Sequence, residues 1–555
     1  MIRTAALAFA LLSSAGNADT LVYNVNGIQV GADGKIQRFG GLVMGDDGKV
    51  ERLIQRTEEL TRPIEHEIDG GGRTLLPGLI DAHGHVMGLG LGLISLDVTG
   101  TKSLAELQHR LRGYAAANPG NGWIVGRGWN QELWPTKSFP TAADLDAVVS
   151  DRPVVLERVD GHAIVANSAA LRIGEVDGRT MDVAGGKIER DAKGTPTGLL
   201  VDNAMGLVLN RVPASDQRAG ALAKAQNLLL SFGLTSVADM GVSADEWAVM
   251  QDFAQAQRLN VRIMAYSSGL EPLARVAPNG PTEWLFGDHL KLAGVKLYED
   301  GALGSRGAWL KQSYADKPDT RGLPRHNDSE LMAMLDRAAA AGFPVAVHAI
   351  GDEAIAHVIA AYERLSRQYG RDRRWRIEHF QIADPKDIGR LAPAGIIASM
   401  QPTHQTSDRL MAEARLGPNR LAGAYAWHSV LKSGARLAFG SDFPVESPNP
   451  FPGLAAAVSR QDMERQPAGG WLPAERVSFA QALSGFTRDA AYAGFAEDRI
   501  GSLEPGKWAD FILVDRDPTK VDAQALARTQ VLETWVAGKK VWARPSAGGG
   551  GERGK

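Results

Sequence analysis

The chain contains no cysteine in 555 residues. Disulfides, a thiolate nucleophile and any zinc site built on cysteine are therefore excluded. A transition-metal site would have to come from the twelve histidines, with carboxylates or an unusual ligand beside them. An excess of one charge is also missing: 61 Lys and Arg face 64 Asp and Glu, for a net charge of −3. Such a balance marks neither nucleic acid nor an anionic membrane as a partner. The N-terminal apolar run, Ala5 to Leu12, is too short to span a bilayer. The Gly-rich run Gly301 to Gly307 lacks the Gly-Lys-Ser/Thr ending of a phosphate loop. No internal repeat stands out beyond an alternation of short apolar runs with helical stretches.

What is present is ordinary globular composition, 44% hydrophobic and 23% charged, enough for a large core. Arg3, the apolar run and a small-residue ending at Ala15 or Ala18 read as a signal peptide over 1–18. That order implies a periplasmic or secreted protein; the alternative is a frayed cytoplasmic N-terminus. Residues 546–555 are Gly-rich and charged and read as a disordered tail. Residues 19–74 carry short alternating segments with turns such as Asp46-Asp47-Gly48-Lys49, which is hairpin chemistry. A similar pattern returns over 496–545. Neither piece can bury a core alone, so the two ends are expected to pair into one small β-sandwich.

Between them, over 75–495, short apolar runs alternate with helical patterns such as Ser329 to Ala341 and Asp352 to Gln368. Strand candidates end near His83, Asp239, Tyr266, Lys296, His348, His379, Gln401 and Asp442. Eight βα units are what a closed barrel needs. The gap after the first strand is far longer than an ordinary βα connection, so a subdomain is inserted at roughly 89–212. It holds a strand candidate at Pro153 to Glu157 and three tryptophans, Trp123, Trp129 and Trp134. The expected fold is thus α/β: a (β/α)₈ TIM barrel, a small β-sandwich domain formed by both chain ends, and an insert after strand one.

The polar residues at the strand ends carry the chemistry. The run Leu79-Ile80-Asp81-Ala82 closes on His83-Gly84-His85. Residues two apart on a strand share a face, so both imidazoles would point into the barrel. A lone His-x-His is a weak signal, equally a pair of loop histidines. Lys296, His348, His379 and Asp442 each end or interrupt a separate later strand. A barrel gathers its C-terminal strand ends at one mouth, so these would converge on His83 and His85. Lysine is the odd member, because an ammonium has no lone pair to give a metal. Near cations it would be driven neutral. It could then add carbon dioxide to form N6-carboxylysine, whose two oxygens can bridge two metals. The competing reading keeps Lys296 unmodified and paired with Glu299 or Asp300.

In combination these residues resemble the amidohydrolase superfamily, and more finely its YtcJ-like branch, which includes N-substituted formamide deformylase. The matching segments are Leu76 to His85, Asp160-Gly161-His162-Ala163, Asp300 to Arg306, His348 to Asp352, Ile377-Glu378-His379, Gly440 to Glu446 and Gly501 to Asp510. The resemblance implies that His83, His85 and Asp442 hold one divalent metal and that His348 and His379 hold a second. Lys296, if carboxylated, would bridge them. It also implies a role for His162 in polarising substrate, against the reading of a structural histidine in the insert. Zinc suits such ligands, with manganese, iron or cobalt also compatible, at one or two ions per chain.

The implied reaction is hydrolysis of a non-peptide C–N bond, in an amide, N-substituted formamide or cyclic amide, by a metal-activated hydroxide. Asp442 would take the proton of the attacking water and pass it to the leaving nitrogen. The alternatives are a metallo-dipeptidase or esterase on the same site, or a non-catalytic binding protein on a retained barrel. Trp129, Trp134, Tyr298, Arg306 and Phe443 are the candidates to line the substrate pocket, against a plain packing role. Glu378 and Asp352 stand close enough in sequence to ligand histidines to orient their rings. A small-molecule substrate is expected, and a homodimer is compatible with this reading.

Overall fold

The computed structural model describes residues 19–58 and 64–545, so the expected signal peptide and tail lie outside the described residues. Eight strands form one parallel sheet: β1 (Leu79–Gly84), β2 (Leu234–Val242), β3 (Arg262–Ser268), β4 (Leu290–Tyr298), β5 (Val345–Ala349), β6 (Arg376–His379), β7 (Ile397–Met400) and β8 (Arg436–Phe439). Each pairs with the next in chain order. Beyond the regular ladders, Gly84 of β1 bridges Phe443 in parallel sense, the Asp442 N–H donates to the His83 carbonyl at 2.7 Å, and the His85 N–H donates to the Phe443 carbonyl at 2.8 Å. These contacts draw β8 onto β1 and nearly close a (β/α)₈ barrel.

The strands form for the expected reason. β4 reads Leu-Lys-Leu-Ala-Gly-Val-Lys-Leu-Tyr and is buried along almost its whole length, as suits a parallel strand covered on both faces. The intervening helices are amphipathic. Asp352–Tyr369 buries Ile355, Val358, Ile359, Tyr362 and Leu365 at helical spacing. Asp328–Ala340 begins at a capping box, with Asn327 and Glu330 each satisfying the other's backbone N–H.

The two chain ends do share a sandwich. One sheet has four strands, all from 20–69. The other has six and mixes the termini: Thr74–Pro77 pairs with Phe511–Val514, Leu75 opposite Leu513. Between them pack Val22, Leu42, Leu75, Phe511, Leu513 and Trp535, with Phe511 and Trp535 stacked at 5.1 Å. A buried bidentate pair, Arg262 of β3 with Asp510, fastens this domain to the barrel at 2.7 and 3.0 Å. Between β1 and β2 the inserted residues build a separate six-stranded mixed sheet, from Leu96–Asp97 to Pro196–Asp202. No described helix is long and apolar enough to cross a membrane.

Candidate metal centre and substrate cavity

The centre rests on a buried ion pair. Arg376 of β6 holds both oxygens of Glu378, at 2.7 and 3.1 Å, and also reaches the Ala82 carbonyl on β1, the Tyr266 hydroxyl on β3 and Ser399 on β7. A side chain that touches four strands lies inside the barrel. Glu378 then takes His83 Nδ1 at 2.6 Å, both side chains being fully buried. A carboxylate paired with arginine only accepts, so Nδ1 carries the proton and Nε2 keeps its lone pair. That lone pair faces Lys296 Nζ at 3.2 Å and Asp442 Oδ1 at 3.4 Å. His85 Nε2 meets the same Asp442 oxygen at 3.0 Å. His379 is oriented by Gln401 Oε1 at 2.9 Å from its Nδ1. Its ring centroid lies 4.7 Å from that of His83 and 4.6 Å from that of His348. The register brings the last two together, with Ala349 opposite His379 across β5 and β6.

Electrostatics complete the picture. Burial, reinforced by neighbouring positive groups, drives His83, His348 and His379 well below the usual imidazole range. Burial also brings the Lys296 ammonium down to about 8, against the pull of Glu378 and Asp442. For Asp442 burial works upward, but His83 and His85 outweigh it and hold the carboxyl below its ordinary range. The result is that His83, His348 and His379 stand as neutral nitrogen donors beside an ionised carboxylate, the donor chemistry a divalent cation requires. Two triplets could hold an ion, each with ligand atoms within 4.8 Å of one another: His83, His85 and Asp442, and His379, His404 and Asp442. Asp442 and His379 both adopt left-handed backbone, at φ +58° and +74°. Such strain in a non-glycine residue persists where the surroundings over-determine it, as at functional sites.

His404 is the residue that sequence reasoning missed. It sits in the first turn of the helix Pro402–Leu416, just past the end of β7. Its Nε2 lies 3.8 Å from Asp442 Oδ2 and has no hydrogen-bond partner, though the residue is only 6% exposed. The available signal was Gln401-Pro402-Thr403-His404 directly after an apolar strand, with proline at the helix start. The alternative pairing of Lys296 is not found. Glu299 is taken by His357 at 2.7 Å and His326 at 3.3 Å, and Asp300 accepts the backbone N–H groups of Trp309, Ile350 and Gly351. Asp352 does not orient a ring either; it accepts the Lys311 N–H at 2.9 Å.

His162 comes from the insert. Asp202 holds its Nδ1 at 2.6 Å and is itself paired with Arg325 at 3.0 Å. Burial would lower the His162 pKa, but the Asp202 charge outweighs it and raises it. The His162 ring lies 4.9 Å from that of His348.

A cavity of about 990 Å³ opens over the centre, lined by the histidines and Asp442 as well as His162, Tyr298 and Arg325. Four expected lining residues belong elsewhere. Trp129 is fully buried inside the insert and donates its indole N–H to the Leu156 carbonyl. Trp134 does the same to Thr101. Arg306 turns away to a bidentate pair with Asp316, at 3.2 and 2.9 Å. Phe443 is fully buried against Gly84 at the seam. Trp123 lines the cavity instead.

A nearly closed parallel barrel, with imidazoles and an aspartate gathered at its strand ends, defines a class of metal-dependent hydrolase. Residues 66–542 match the amidohydrolase family, and the chain belongs to it. Among its relatives is YtcJ of Bacillus subtilis, 32% identical over 494 residues, which span 87% of this chain and 92% of that protein. N-substituted formamide deformylase of Arthrobacter pascens is 29% identical, over 86% of this chain and 90% of its own. In structure the chain is similar to an uncharacterized metal-dependent hydrolase from Pyrococcus horikoshii, with a TM-score of 0.73, 28% identity, and coverage of 91% of this chain and 99% of that one.

Proposed function

We propose that this hydrolase cleaves a non-peptide C–N bond in an amide, an N-substituted formamide or a cyclic amide. The observation that carries the reading is the convergence of neutral His83, His348 and His379 with ionised Asp442 around a buried lysine. His83, His85 and Asp442 would hold one ion, zinc by donor type, and His348 and His379 a second, with Lys296 bridging as a carbamate. A divalent ion in such a site supplies Lewis acidity and a water acidic enough to act as nucleophile at neutral pH.

The chain's own residues supply the rest. Asp442 Oδ1 is committed to His83 and His85, whereas Oδ2 lies 4.0 Å from His379 and 3.8 Å from His404, free to take a proton and return it to a leaving nitrogen. His162, its Nδ1–H held by Asp202 and its pKa raised by that charge, offers Nε2 as a hydrogen-bond donor to the substrate oxygen in its protonated form. Tyr298, its ring 5.4 Å from that of His348, forms part of the cavity wall against which the acyl or N-substituent packs. The family relation to a formamide deformylase supports formamides as the first substrates to try.

The test is metal content by elemental analysis, for wild type and Lys296→Ala, followed by turnover on a panel of N-formyl and N-acyl amines. Roughly two ions in wild type, falling to one or none in the variant, together with amine release from the panel, is the expected result. An equal metal content in both proteins would remove Lys296 from the ligand set. Absence of turnover across the panel by the metal-loaded enzyme would overturn the C–N assignment.

A further inference from the structure

A second, smaller cavity of about 210 Å³ meets the first at the centre, sharing His162, His348, His379 and Asp442 with it. Its outer wall has three sources. The insert contributes Arg158 and Asp160, the helix Pro402–Leu416 contributes His404 and Asp408, and the loop after β8 contributes Glu446. His404 and Asp408 stand four apart on one helix and so share a face.

The charges on this wall do not balance. Arg158 is spent: it pairs with Asp160, and its Nε donates to Gln131 at 3.0 Å. Glu132, also on the wall, pairs with Arg415. Asp408 accepts only a neutral donor, the Tyr425 hydroxyl at 2.7 Å, and Glu446 accepts only the Ser407 hydroxyl. Among the described residues neither has a Lys or Arg within ion-pair distance. The third feature is His404, whose Nδ1 accepts the Gln381 amide N–H at 3.0 Å and whose buried Nε2 faces this cavity without a hydrogen-bond partner. Withdrawal from water raises both carboxyls, more than His404 and, for Asp408, Arg158 lower them.

Two carboxylates with no Lys or Arg of their own supply acceptors and negative charge. An alkylammonium brings three N–H donors, one positive charge and no acceptor. We propose that the smaller cavity is the specificity pocket for a short ammonium-bearing arm of the substrate, seated on Asp408 and Glu446. Its volume admits an arm of a few heavy atoms, and the larger cavity can take a bulkier substituent. The placing of that arm on a hydrolysable molecule rests on the function proposed above, whereas binding of the ammonium does not.

The experiment therefore has two readouts. Calorimetric titration of the metal-loaded protein with propylammonium chloride, and separately with 1-propanol, should give saturable binding of the cation alone. Glu446→Gln and Asp408→Asn, each nearly isosteric, should weaken that binding about tenfold, or 1.4 kcal/mol. Turnover is then compared for N-formyl-ethylenediamine and N-propylformamide, which differ by an ammonium in place of a methyl. The ammonium substrate should be favoured at least tenfold in kcat/KM. Failure of wild type to bind propylammonium, or equal binding of propanol, would overturn the proposal without recourse to any variant. So would equal turnover of the two formamides, leaving the C–N assignment standing. Cation binding that the two substitutions weaken, without hydrolysis of either formamide, would uphold the pocket and overturn the C–N assignment.

Discussion

At the scale of single residues, the site divides into groups that would touch the reacting atoms and groups that aim them. Asp442 is of the first kind. Asp442→Asn keeps the side-chain volume but removes the proton acceptor, so kcat should fall by a factor of about 10²–10⁴ with the circular dichroism spectrum unchanged. Near-normal turnover would remove Asp442 from proton transfer. Glu378 is of the second kind. Glu378→Gln no longer demands the proton on His83 Nδ1 and leaves Arg376 buried without its counter-charge. Metal affinity should drop about 10–100-fold, measured by competition with a chelator. The candidate ligand histidines were legible because each ends an apolar strand. Glu378 was legible only as a neighbour, since on a strand it had an even chance of facing outward. Arg376 and His404 escaped altogether, because a buried arginine and a helix-start histidine take their meaning from what surrounds them.

At the scale of elements, the seam between β1 and β8 sets the site. Asp81 accepts the backbone N–H of His83 at 3.0 Å and of Ser441 at 3.1 Å, and takes the Ser441 hydroxyl at 2.6 Å. It thereby ties the strand bearing the first histidines to the loop bearing Asp442. Gly440 stands where this tie needs room: a Cβ there would lie 2.5 Å from Asp81 Oδ1 and 2.6 Å from the His83 nitrogen. Gly440→Ala should cost about 1–3 kcal/mol or more in stability, read as a lower thermal midpoint, and should lower metal content as well. An unchanged midpoint would mean that the seam yields easily. The β4 to β8 strand ends were readable from sequence as apolar runs. Their junction with β1 was not, since it depends on hydrogen bonds between residues some 360 positions apart.

At the scale of the whole molecule, the sandwich ties the two ends of the chain. Asp517 accepts from Asn26 at 3.1 Å, Arg38 at 3.0 Å and the Thr519 hydroxyl at 2.6 Å. Burial alone would raise its carboxyl, but these donors hold it down to about 2 from 3.8. A depressed folded-state pKa contributes stability that is complete above the unfolded value and is lost as pH falls through the folded one. Between pH 3.8 and about 2 wild type should therefore lose on the order of 1 kcal/mol through this group, after discount for solvent screening. Asp517→Asn should be less stable near neutrality and show a flatter acid limb in urea titrations. Parallel acid limbs in the two proteins would deny the group that role.

What the sequence determined by itself was periodic and local: the alternation of apolar runs and amphipathic helices that makes a barrel, and the polar residue at the end of each strand. These features are legible because a strand or helix pattern is set by neighbours a few positions apart. The tertiary structure alone decided which tryptophan faces the cavity. Trp123 does, whereas Trp129 and Trp134 satisfy their indoles inside the insert. It alone gave His83 its orientation through Arg376 and Glu378, and it alone set His404 beside Asp442 with two carboxylates lacking a cation. The physical reason is common to all three. A side chain's role follows from its burial and its partners, and here those partners lie on other elements, remote in the chain.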